Sequence, residues 1–314
     1  MNFLNLYYFT VVADELNITR AAERLFISQQ SLSNHMIKLE KTLGAKLFVR
    51  SPVFLMTYAG TRLLLAANQI LNIKRQIIME IDDINNHRRG ELRIGISHTR
   101  GRVLMPKLLP MFSHEHPFID VTVTEGNSQQ LEEWLQHGRI DLLIGFAPVL
   151  LVEAETQNIL NERLFLVVPR KIMMNLYPEN YTALVEKFKA GVDVLAFKNC
   201  PYLMMSRGNR TRTIFDQYMG QLGIHVKIII EMESIETLFS LACEGMGITI
   251  YPEMFVRNLN SKILTDEESP VFYFPLNDPS TIGNLVIAYH RERYMADSAK
   301  DFIKSCLSTD FFTD

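Results

Sequence analysis

Apolar residues recur at helical spacing near the start of the chain, and they predict two helices separated by a short break. Ala21, Ala22 and Leu25 form the apolar edge of a short amphipathic helix. The second helix would turn four apolar residues toward a core: Leu32, Met36, Leu39 and Leu43. Ser28 stands immediately before it as a candidate N-cap. The pattern predicts a helix-turn-helix.

The opposite face of the second helix is polar and offers groups that suit DNA. Amide and hydroxyl side chains lie near its N-terminus and a lysine follows, at Gln29, Gln30, Ser33, Asn34 and Lys38. Glutamine and asparagine can pair with adenine edges in the major groove, while serine and lysine hold phosphates. We interpret this helix as a DNA-recognition helix.

A longer apolar stripe follows between Tyr58 and Asn86, a segment without proline in which Gly60 is the only glycine. Leu63, Ile70, Ile77 and Ile84 recur every seven residues, as in a coiled coil, and Ile73 and Ile81 lie between them on the same stripe. The stripe predicts one helix of about 28 residues, covered either by a partner helix or by the chain's own neighbouring domain. Arg88-Arg89-Gly90 ends the pattern, and we place a hinge there.

Beyond Gly90 the pattern changes to short apolar strands that alternate with amphipathic helices. Strand-like segments lie at 92–97, 121–126, 141–146, 163–169, 202–206, 226–232 and 247–252, with helical segments around 103–115 and 128–138. Such alternation predicts an α/β architecture with a mostly parallel sheet.

The N-terminal motif resembles the winged-helix signature of LysR-type transcriptional regulators. The matching positions follow in order: Phe9, Ala13, Ile18, Ala21, Ala22, Leu25, Ile27, Ser28, Gln29, Leu32, Ser33, Leu39, Glu40, Leu43, Gly44, Leu47, Phe48, Arg50, Thr57, Ala59 and Gly60. The alternative is a generic three-helix bundle with accidental polar spacing. The resemblance implies an N-terminal all-α winged helix-turn-helix with a long linker helix, followed by an α/β two-lobed periplasmic-binding-protein-like (type 2) effector domain.

The expected domains follow from this resemblance. The DNA-binding domain would cover residues 1–60, and the linker and dimerisation helix with its hinge would cover 58–90. The effector-binding domain would cover 91–314, with lobe one at 91–162 and 269–314 and lobe two at 163–268. DNA contacts are expected from Arg20, Ser28, Gln29, Gln30, Ser31, Ser33, Asn34, Lys38, Arg50 and Thr57, and the apolar stripe would pair two DNA-binding heads.

Polar residues at strand ends mark a candidate effector site. Ligands of such sheets bind outside the carboxyl ends of strands, where helix N-termini favour an anion. The candidate effector contacts are Ser97, His98, Thr99, Arg100, Asn127, Ser128, Phe146, Arg207 and Asn209. They suggest an anionic ligand such as a carboxylate or an amino acid. The alternative is that the hydroxyls only cap helices and that Arg100 points outward into solvent.

Charge is distributed unevenly along a chain whose net charge is -3. Residues 1–90 carry 11 Lys and Arg against 7 Asp and Glu, whereas the remainder carries 21 against 28. A modestly basic head on an acidic body fits DNA binding. Because four net charges give weak electrostatic affinity, two or more copies would be needed on one DNA.

Other classes of protein are disfavoured. The chain has no GxSxG, P-loop or GxGxxG motif and no metal-ligand cluster, so we expect no enzyme, no cofactor and no metal. No apolar run reaches the roughly 18 residues of a membrane span. A transport-associated binding protein would need an export signal and would have no use for residues 1–60. Three scattered cysteines form neither a disulfide framework nor a CxxC pair, and we expect a cytoplasmic protein.

Three segments depart from the LysR pattern. Residues 51–56, in the expected wing, contain no basic residue and are one residue shorter than usual, and Ile37 occupies a place that is often basic. The stretch between Pro169 and Pro201 is longer than usual and predicts an added helix around 177–190. One branch of the family senses peroxide through a cysteine pair, but no resolving cysteine lies between Cys200 and Cys243.

The sequence therefore predicts a LysR-type regulator that senses a small, anionic molecule and changes the geometry of an oligomer on operator DNA. Its expected partners are double-stranded operator DNA, the effector and further copies of itself, as a homodimer or homotetramer, with RNA polymerase as a further candidate. The alternative is a constitutive DNA-binding regulator with no functional ligand pocket.

Overall fold

A computed structural model describes residues 2–49, 53–85, 90–257 and 269–311. The N-terminal domain, called the head below, begins with α1 (Phe3–Glu15), α2 (Ile18–Arg24) and α3 (Gln29–Leu43). Two short strands, β1 (Phe48–Val49) and β2 (Leu55–Met56), pair antiparallel as the base of a wing. The predicted recognition helix is therefore α3, and Ser28 caps it by accepting a hydrogen bond from the Ser31 N–H at 3.2 Å.

The head core confirms most of the predicted apolar positions. Leu32, Met36 and Leu39 are buried with Phe9 of α1, because their spacing places them on one face of α3. Leu43 is an exception. It lies in the last turn before Gly44 and is 40% exposed, so its predicted place in the core is wrong.

The linker helix α4 (Tyr58–Ile84) is continuous over 27 residues, as the apolar stripe predicts. Its first half belongs to the head, where Ala67 is fully buried and Leu63 and Ile70 pack partly against the head core. Farther along, Ile73, Ile77, Ile81 and Ile84 of the stripe are exposed. The predicted hinge at 88–90 lies mostly outside the described residues, since only Gly90 of the three is described.

The effector domain is built on a seven-stranded sheet in the order β10-β6-β11-β5-β3-β4, with β9 also paired to β6. Its strands are β3 (Gly90–Ile96), β4 (Ile119–Glu125), β5 (Leu142–Phe146), β6 (Ala154–Pro169), β9 (Thr249–Pro252), β10 (Val271–Pro275) and β11 (Ile282–His290). A separate parallel pair consists of β7 (Pro201–Met205) and β8 (Lys227–Met232). The helices are α5 (His98–Glu115), α6 (Ser128–Gln136), α7 (Arg170–Leu176), α8 (Tyr181–Lys189), α9 (Arg210–Gln221), α10 (Ile235–Cys243), α11 (Glu253–Arg257) and α12 (Asp297–Ser308).

The prediction of a mostly parallel sheet is wrong. β3 is parallel to β4 and β5, but β11 is antiparallel to β5 and β6, and β6 is antiparallel to β9 and β10. The reason is that the long strand β6 runs through both lobes and its neighbours in both run in the opposite direction. Its first half pairs with β11 in lobe one, and its second half pairs with β9 and β10 in lobe two.

Each lobe has its own apolar core. In lobe one, β3, β5 and β11 pack against α5 and α12. Val271, Phe274 and Leu276 are buried in lobe two. The chain therefore returns to lobe one only after β10, whereas the predicted boundary of lobe one was residue 269. The added helix predicted around 177–190 is α8. It contributes Val185 and Phe188 to the core of lobe two.

Within the described ranges, no helix is long and apolar enough to cross a membrane.

Candidate DNA-binding and ligand-binding sites

The recognition helix presents most of the predicted DNA-contacting side chains to solvent. Arg20, Ser28, Gln29, Gln30, Asn34 and Lys38 are exposed, and Ser31 and Ser33 are half-buried. Arg20 lies on α2 and its guanidinium forms an exposed ion pair with Glu15 at 2.9 Å. Arg50, the remaining basic candidate, lies outside the described residues.

Thr57 has a structural role that the sequence did not reveal. Its hydroxyl donates to the Lys46 carbonyl at 2.7 Å and accepts from the Gly60 N–H at 3.0 Å, so it caps α4. Glu40 of α3 is also buried, and it accepts hydrogen bonds from the Leu47 N–H at 2.9 Å and from Lys46 at 3.1 Å. Together these bonds fasten the recognition helix, the wing and the linker helix to one another.

The pKa of Glu40 supports this arrangement. Burial alone would raise it, but hydrogen bonds from the backbone of Leu47 and Phe48 and from Lys46 outweigh burial and lower the pKa. The carboxylate is therefore charged at neutral pH and remains a strong acceptor.

The apolar side chains around the recognition helix were not predicted as site residues. Phe26 lies in the turn before α3 and is 95% exposed, with a left-handed φ of 53°. Val53 and Leu55 of the wing are also exposed. The sequence feature that could have predicted the apolar surface of the wing is the absence of basic residues from 51–56.

A cleft between the two lobes encloses a cavity of about 820 Å³, a volume typical of small-molecule sites. All nine candidate effector residues line it: Ser97, His98, Thr99, Arg100, Asn127, Ser128, Phe146, Arg207 and Asn209. They meet because the strand ends of both lobes face the same cleft, and each strand end is followed by the N-terminus of a helix.

The four helix N-termini around the cleft differ in how they are capped. Asn127 caps α6, Asn209 caps α9 and Ser234 caps α10, each by accepting hydrogen bonds from its own first turn. Ser97 at the start of α5 makes no such bond. The capping alternative concerned the hydroxyls, and Ser97 makes no cap bond, whereas Asn127 and Asn209, which were not predicted as caps, do. The first turn of α5 keeps N–H groups available to an anion.

Arg100 does not point into solvent. It is 5% exposed, and its guanidinium lies 2.5 Å from the Glu162 carboxylate and 4.0 Å from the centre of the Phe146 ring. Glu162 in turn accepts from the Met254 N–H at 3.0 Å. A buried arginine needs such a partner, because an unpaired charge in the interior is costly. The alternative of an outward-facing Arg100 is therefore wrong.

Other ion pairs connect the two lobes across the cleft, and the sequence did not predict them. Arg102 of lobe one pairs with Glu236 of lobe two at 3.1 Å. Arg210 of lobe two lies 3.7 Å from Glu132 of lobe one and also donates to the Pro148 carbonyl. These pairs join residues far apart in the sequence, so no local motif marks them.

Cys200 lies in the apolar core of lobe two, and burial raises the pKa of its thiol. Reactive cysteines are accessible and have lowered pKa values. The structure therefore gives this cysteine the surroundings of a structural residue.

Among the described residues, no group of three or more His, Cys, Asp or Glu side chains could hold a metal ion.

The arrangement of a helix-turn-helix head, a linker helix and a two-lobed domain agrees with the matches to protein families. Residues 3–61 match the family described as bacterial regulatory helix-turn-helix protein, lysR family, and residues 85–310 match the LysR substrate binding domain. The chain belongs to the LysR family. It is a DNA-binding transcriptional regulator with an effector-binding domain, and it is not an enzyme.

Similar proteins and solved structures match almost the whole chain. The uncharacterized HTH-type transcriptional regulator YcgK of Bacillus subtilis is 28% identical, over 97% of this chain and 93% of that protein. A full-length OxyR variant from Pseudomonas aeruginosa is 21% identical with a TM-score of 0.74, covering 99% of this chain and 96% of that one. The LysR regulator CbnR in complex with its target DNA is 22% identical with a TM-score of 0.64, covering 98% and 99%. At these identities the solved structures support the fold.

Proposed function

We propose that this LysR-family regulator senses a small anionic molecule in the cleft between its lobes. The observation that carries the proposal is the uncapped N-terminus of α5, an 18-residue helix whose first turn opens into the cavity. Ser97 and Thr99 place hydroxyls there, and the helix dipole adds partial positive charge. A carboxylate seated at this end would accept hydrogen bonds from backbone and side chains together.

Arg207 supports an anionic ligand from the opposite lobe. Its side chain is exposed at the cleft, two residues after the end of β7. A ligand held between α5 and Arg207 would contact both lobes at once. It would therefore bind one relative position of the lobes more tightly than others, which is the requirement for shifting a conformational equilibrium.

We infer that this shift changes the spacing of DNA-binding heads in an oligomer. The exposed side chains Ile73, Ile77, Ile81 and Ile84 continue a stripe that one chain leaves uncovered, which supports pairing between linker helices. Recognition of operator DNA would then come from the polar face of α3, with Gln29, Gln30 and Asn34 reaching base edges. As a regulator of this kind, the protein would act in the cytoplasm.

A second candidate function rests on the charges of the cleft. Arg100, Arg102 and Arg210 all have carboxylate partners within the protein. A cleft whose arginines are already paired fits a constitutive regulator with no functional ligand pocket. The uncapped α5 N-terminus favours the sensing function over this alternative.

A footprinting experiment separates the two. The purified protein is bound to the DNA upstream of its own gene, and a panel of small carboxylates and amino acids is added. We expect one compound to shift or shorten the protected site, and Ser97→Ala with Thr99→Ala to weaken that response. Ser113→Ala, on the exposed side of the same helix, serves as the matched control. Protection that no compound changes would favour the constitutive function.

A further inference from the structure

The exposed face of the recognition helix α3 carries an apolar side chain among its polar ones. Gln30, Asn34 and Lys38 of this face are exposed, and Ser33 is half-buried. Ile37 lies in the middle of the same face and is 45% exposed. It is not among the DNA contacts expected from the sequence, because those were chosen for hydrogen bonding and charge.

Helical spacing decides the direction in which Ile37 points. Each residue turns the helix by about 100°, so Ile37 projects within about 20° of Gln30, two turns earlier. One turn earlier, Ser33 and Asn34 lie on either side of that direction. Leu39, which is buried in the head core, projects about 160° away from Ile37. Ile37 therefore belongs to the face of α3 that we assign to DNA.

The position of Ile37 is not explained by the stability of the helix. β-branched side chains lose rotamer freedom in a helix, so isoleucine is a weaker helix former than lysine, arginine or glutamine. A single exposed apolar residue is common on protein surfaces. Ile37 differs from such residues because the β-carbons of Ser33 and Asn34 lie roughly 5–6 Å from its own. A base edge that those two side chains reach is also within reach of Ile37.

The major groove offers an isoleucine one apolar group on the base edges, the 5-methyl group of thymine. Against an edge with polar atoms alone, the isoleucine would remove water without replacing the lost hydrogen bonds. Against a thymine methyl, both partners are apolar, and the removal of water between them favours binding. The chemistry of the side chain therefore selects thymine.

The low charge of the head supports a contact of this kind. Residues 1–90 carry 11 Lys and Arg against 7 Asp and Glu, and residues 51–56 of the wing contain no basic residue. Val49 and Leu55 lie opposite each other across β1 and β2, and both are exposed. Phosphate contacts from basic residues position a protein on DNA but carry no sequence information. A head with few of them depends more on contacts in the groove.

We propose that Ile37 is a base-reading residue that contacts the 5-methyl group of a thymine in operator DNA. The inference rests on the proposed function in one respect, because it takes this face of α3 as the face in the groove. Ile37 lies about 6 Å farther along the helix axis than Ser33, so its thymine lies beyond the bases that the first turn of α3 reaches. The contact adds preference for a T·A pair without adding charge.

Replacement of single thymines by deoxyuridine tests the contact, because deoxyuridine keeps every hydrogen-bonding group and lacks only the 5-methyl group. The probe is the duplex that the full-length protein protects upstream of its own gene, and fluorescence anisotropy measures the dissociation constant. We expect a thymine within the protected site at which deoxyuridine weakens binding by the parent protein about fourfold, the value for one buried methylene-sized group.

The variants assign that thymine to Ile37. Ile37→Ala should bind the thymine duplex about tenfold more weakly and should not distinguish it from the deoxyuridine duplex. Ile37→Val removes one methylene and should give an intermediate ratio of the two dissociation constants. Each ratio comes from one preparation, so it does not depend on the fraction of folded protein. Ile229→Ala, at an exposed isoleucine of lobe two, is the matched control and should keep the ratio of the parent.

A parent protein that binds every deoxyuridine duplex as tightly as the thymine duplex would overturn the contact. So would an Ile37→Ala variant that keeps the discrimination of the parent, or one that shows no discrimination but is matched by Ile229→Ala. Asn34→Ala separates this failure from a failure of the recognition face. If Asn34→Ala weakens binding to both duplexes alike, only the thymine contact fails. Parent affinity in both Asn34→Ala and Ile37→Ala would remove α3 from the DNA interface altogether.

Discussion

The recognition face of the head and the cleft of the effector domain use polar side chains in opposite ways. On α3, Gln29, Gln30 and Asn34 extend into solvent from a helix that Glu40 and Ser28 hold in place. In the cleft, Arg100, Arg102 and Arg210 are already paired with carboxylates. The head is therefore organised for DNA before binding, whereas the ligand that we propose for the cleft would have to enter an existing network of charges.

This difference predicts two kinds of mutational effect. Changes on the recognition face should alter affinity for DNA and leave the conformation of the protein unchanged. Changes in the cleft should alter the balance between conformations, because the ion pairs there connect the two lobes.

The largest effect is expected on the recognition face. Ser33→Ala with Asn34→Ala should abolish specific protection of the operator, because each lost base or phosphate contact costs roughly 1–3 kcal/mol and the loss is repeated in every bound subunit. Footprinting measures the protection, and light scattering should show an unchanged oligomer. An intact footprint in this double variant would remove α3 from the interface.

Next in size is the effect on the apolar stripe. Ile77→Asp with Ile81→Asp should dissociate the oligomer, because a paired linker would have to bury two charges at positions that are now about half exposed. Sedimentation equilibrium measures the mass. Ile229→Asp, at an exposed position of lobe two, is the control. Ile70 is a poorer choice for this test, since it also packs against the head core.

A smaller effect is expected at the base of the cleft. Glu162→Gln leaves the buried Arg100 guanidinium without its carboxylate, and breaking a buried ion pair costs about 3 kcal/mol or more. Thermal unfolding of the full-length protein should show this loss. The exposed pair of Arg102 and Glu236 provides a comparison, and Glu236→Gln should cost less than about 1 kcal/mol. Equal losses in the two variants would contradict the burial argument.

The smallest effect depends on pH and concerns Asp141 of lobe one, whose carboxylate accepts hydrogen bonds from Arg75 of α4 and Arg93 of β3. The pKa of Asp141 is lower in the folded protein than its ordinary value of 3.8. Its stabilisation is therefore fully present above that value and is lost as the pH falls through the folded pKa. Asp141→Asn should be less stable than the parent at neutral pH, and the difference should shrink only in strong acid. A difference that disappears near pH 6 would point to another group.

The thiols offer a check on the comparison between this chain and cysteine-based sensors. Burial raises the pKa of Cys306 to about 12 and also raises those of Cys200 and Cys243. We expect slow alkylation by iodoacetamide at neutral pH in the native protein, and fast alkylation after unfolding. Rapid alkylation of Cys200 in the folded protein would show that its thiol is reactive, as a redox sensor requires.

Local chemistry explains what the sequence determined by itself. The helix-turn-helix, the cap at Ser28 and the continuous α4 follow from periodicity and capping within a few turns. The nine cleft residues could be found because each one follows or ends a strand, and strand ends of an α/β domain converge on one edge. The dimerisation and DNA contacts assigned to individual residues stay predictions.

Only the tertiary structure decided how distant segments meet. The antiparallel path of β6 and β11, the burial of Arg100 against Glu162, and the bond between Arg75 and Asp141 join residues 62 or more positions apart. No periodicity records such pairs, because a charged residue has the same local pattern whether it faces water or a partner. Packing of the lobes and the linker removes water from these groups, and that loss of solvent makes each pairing necessary.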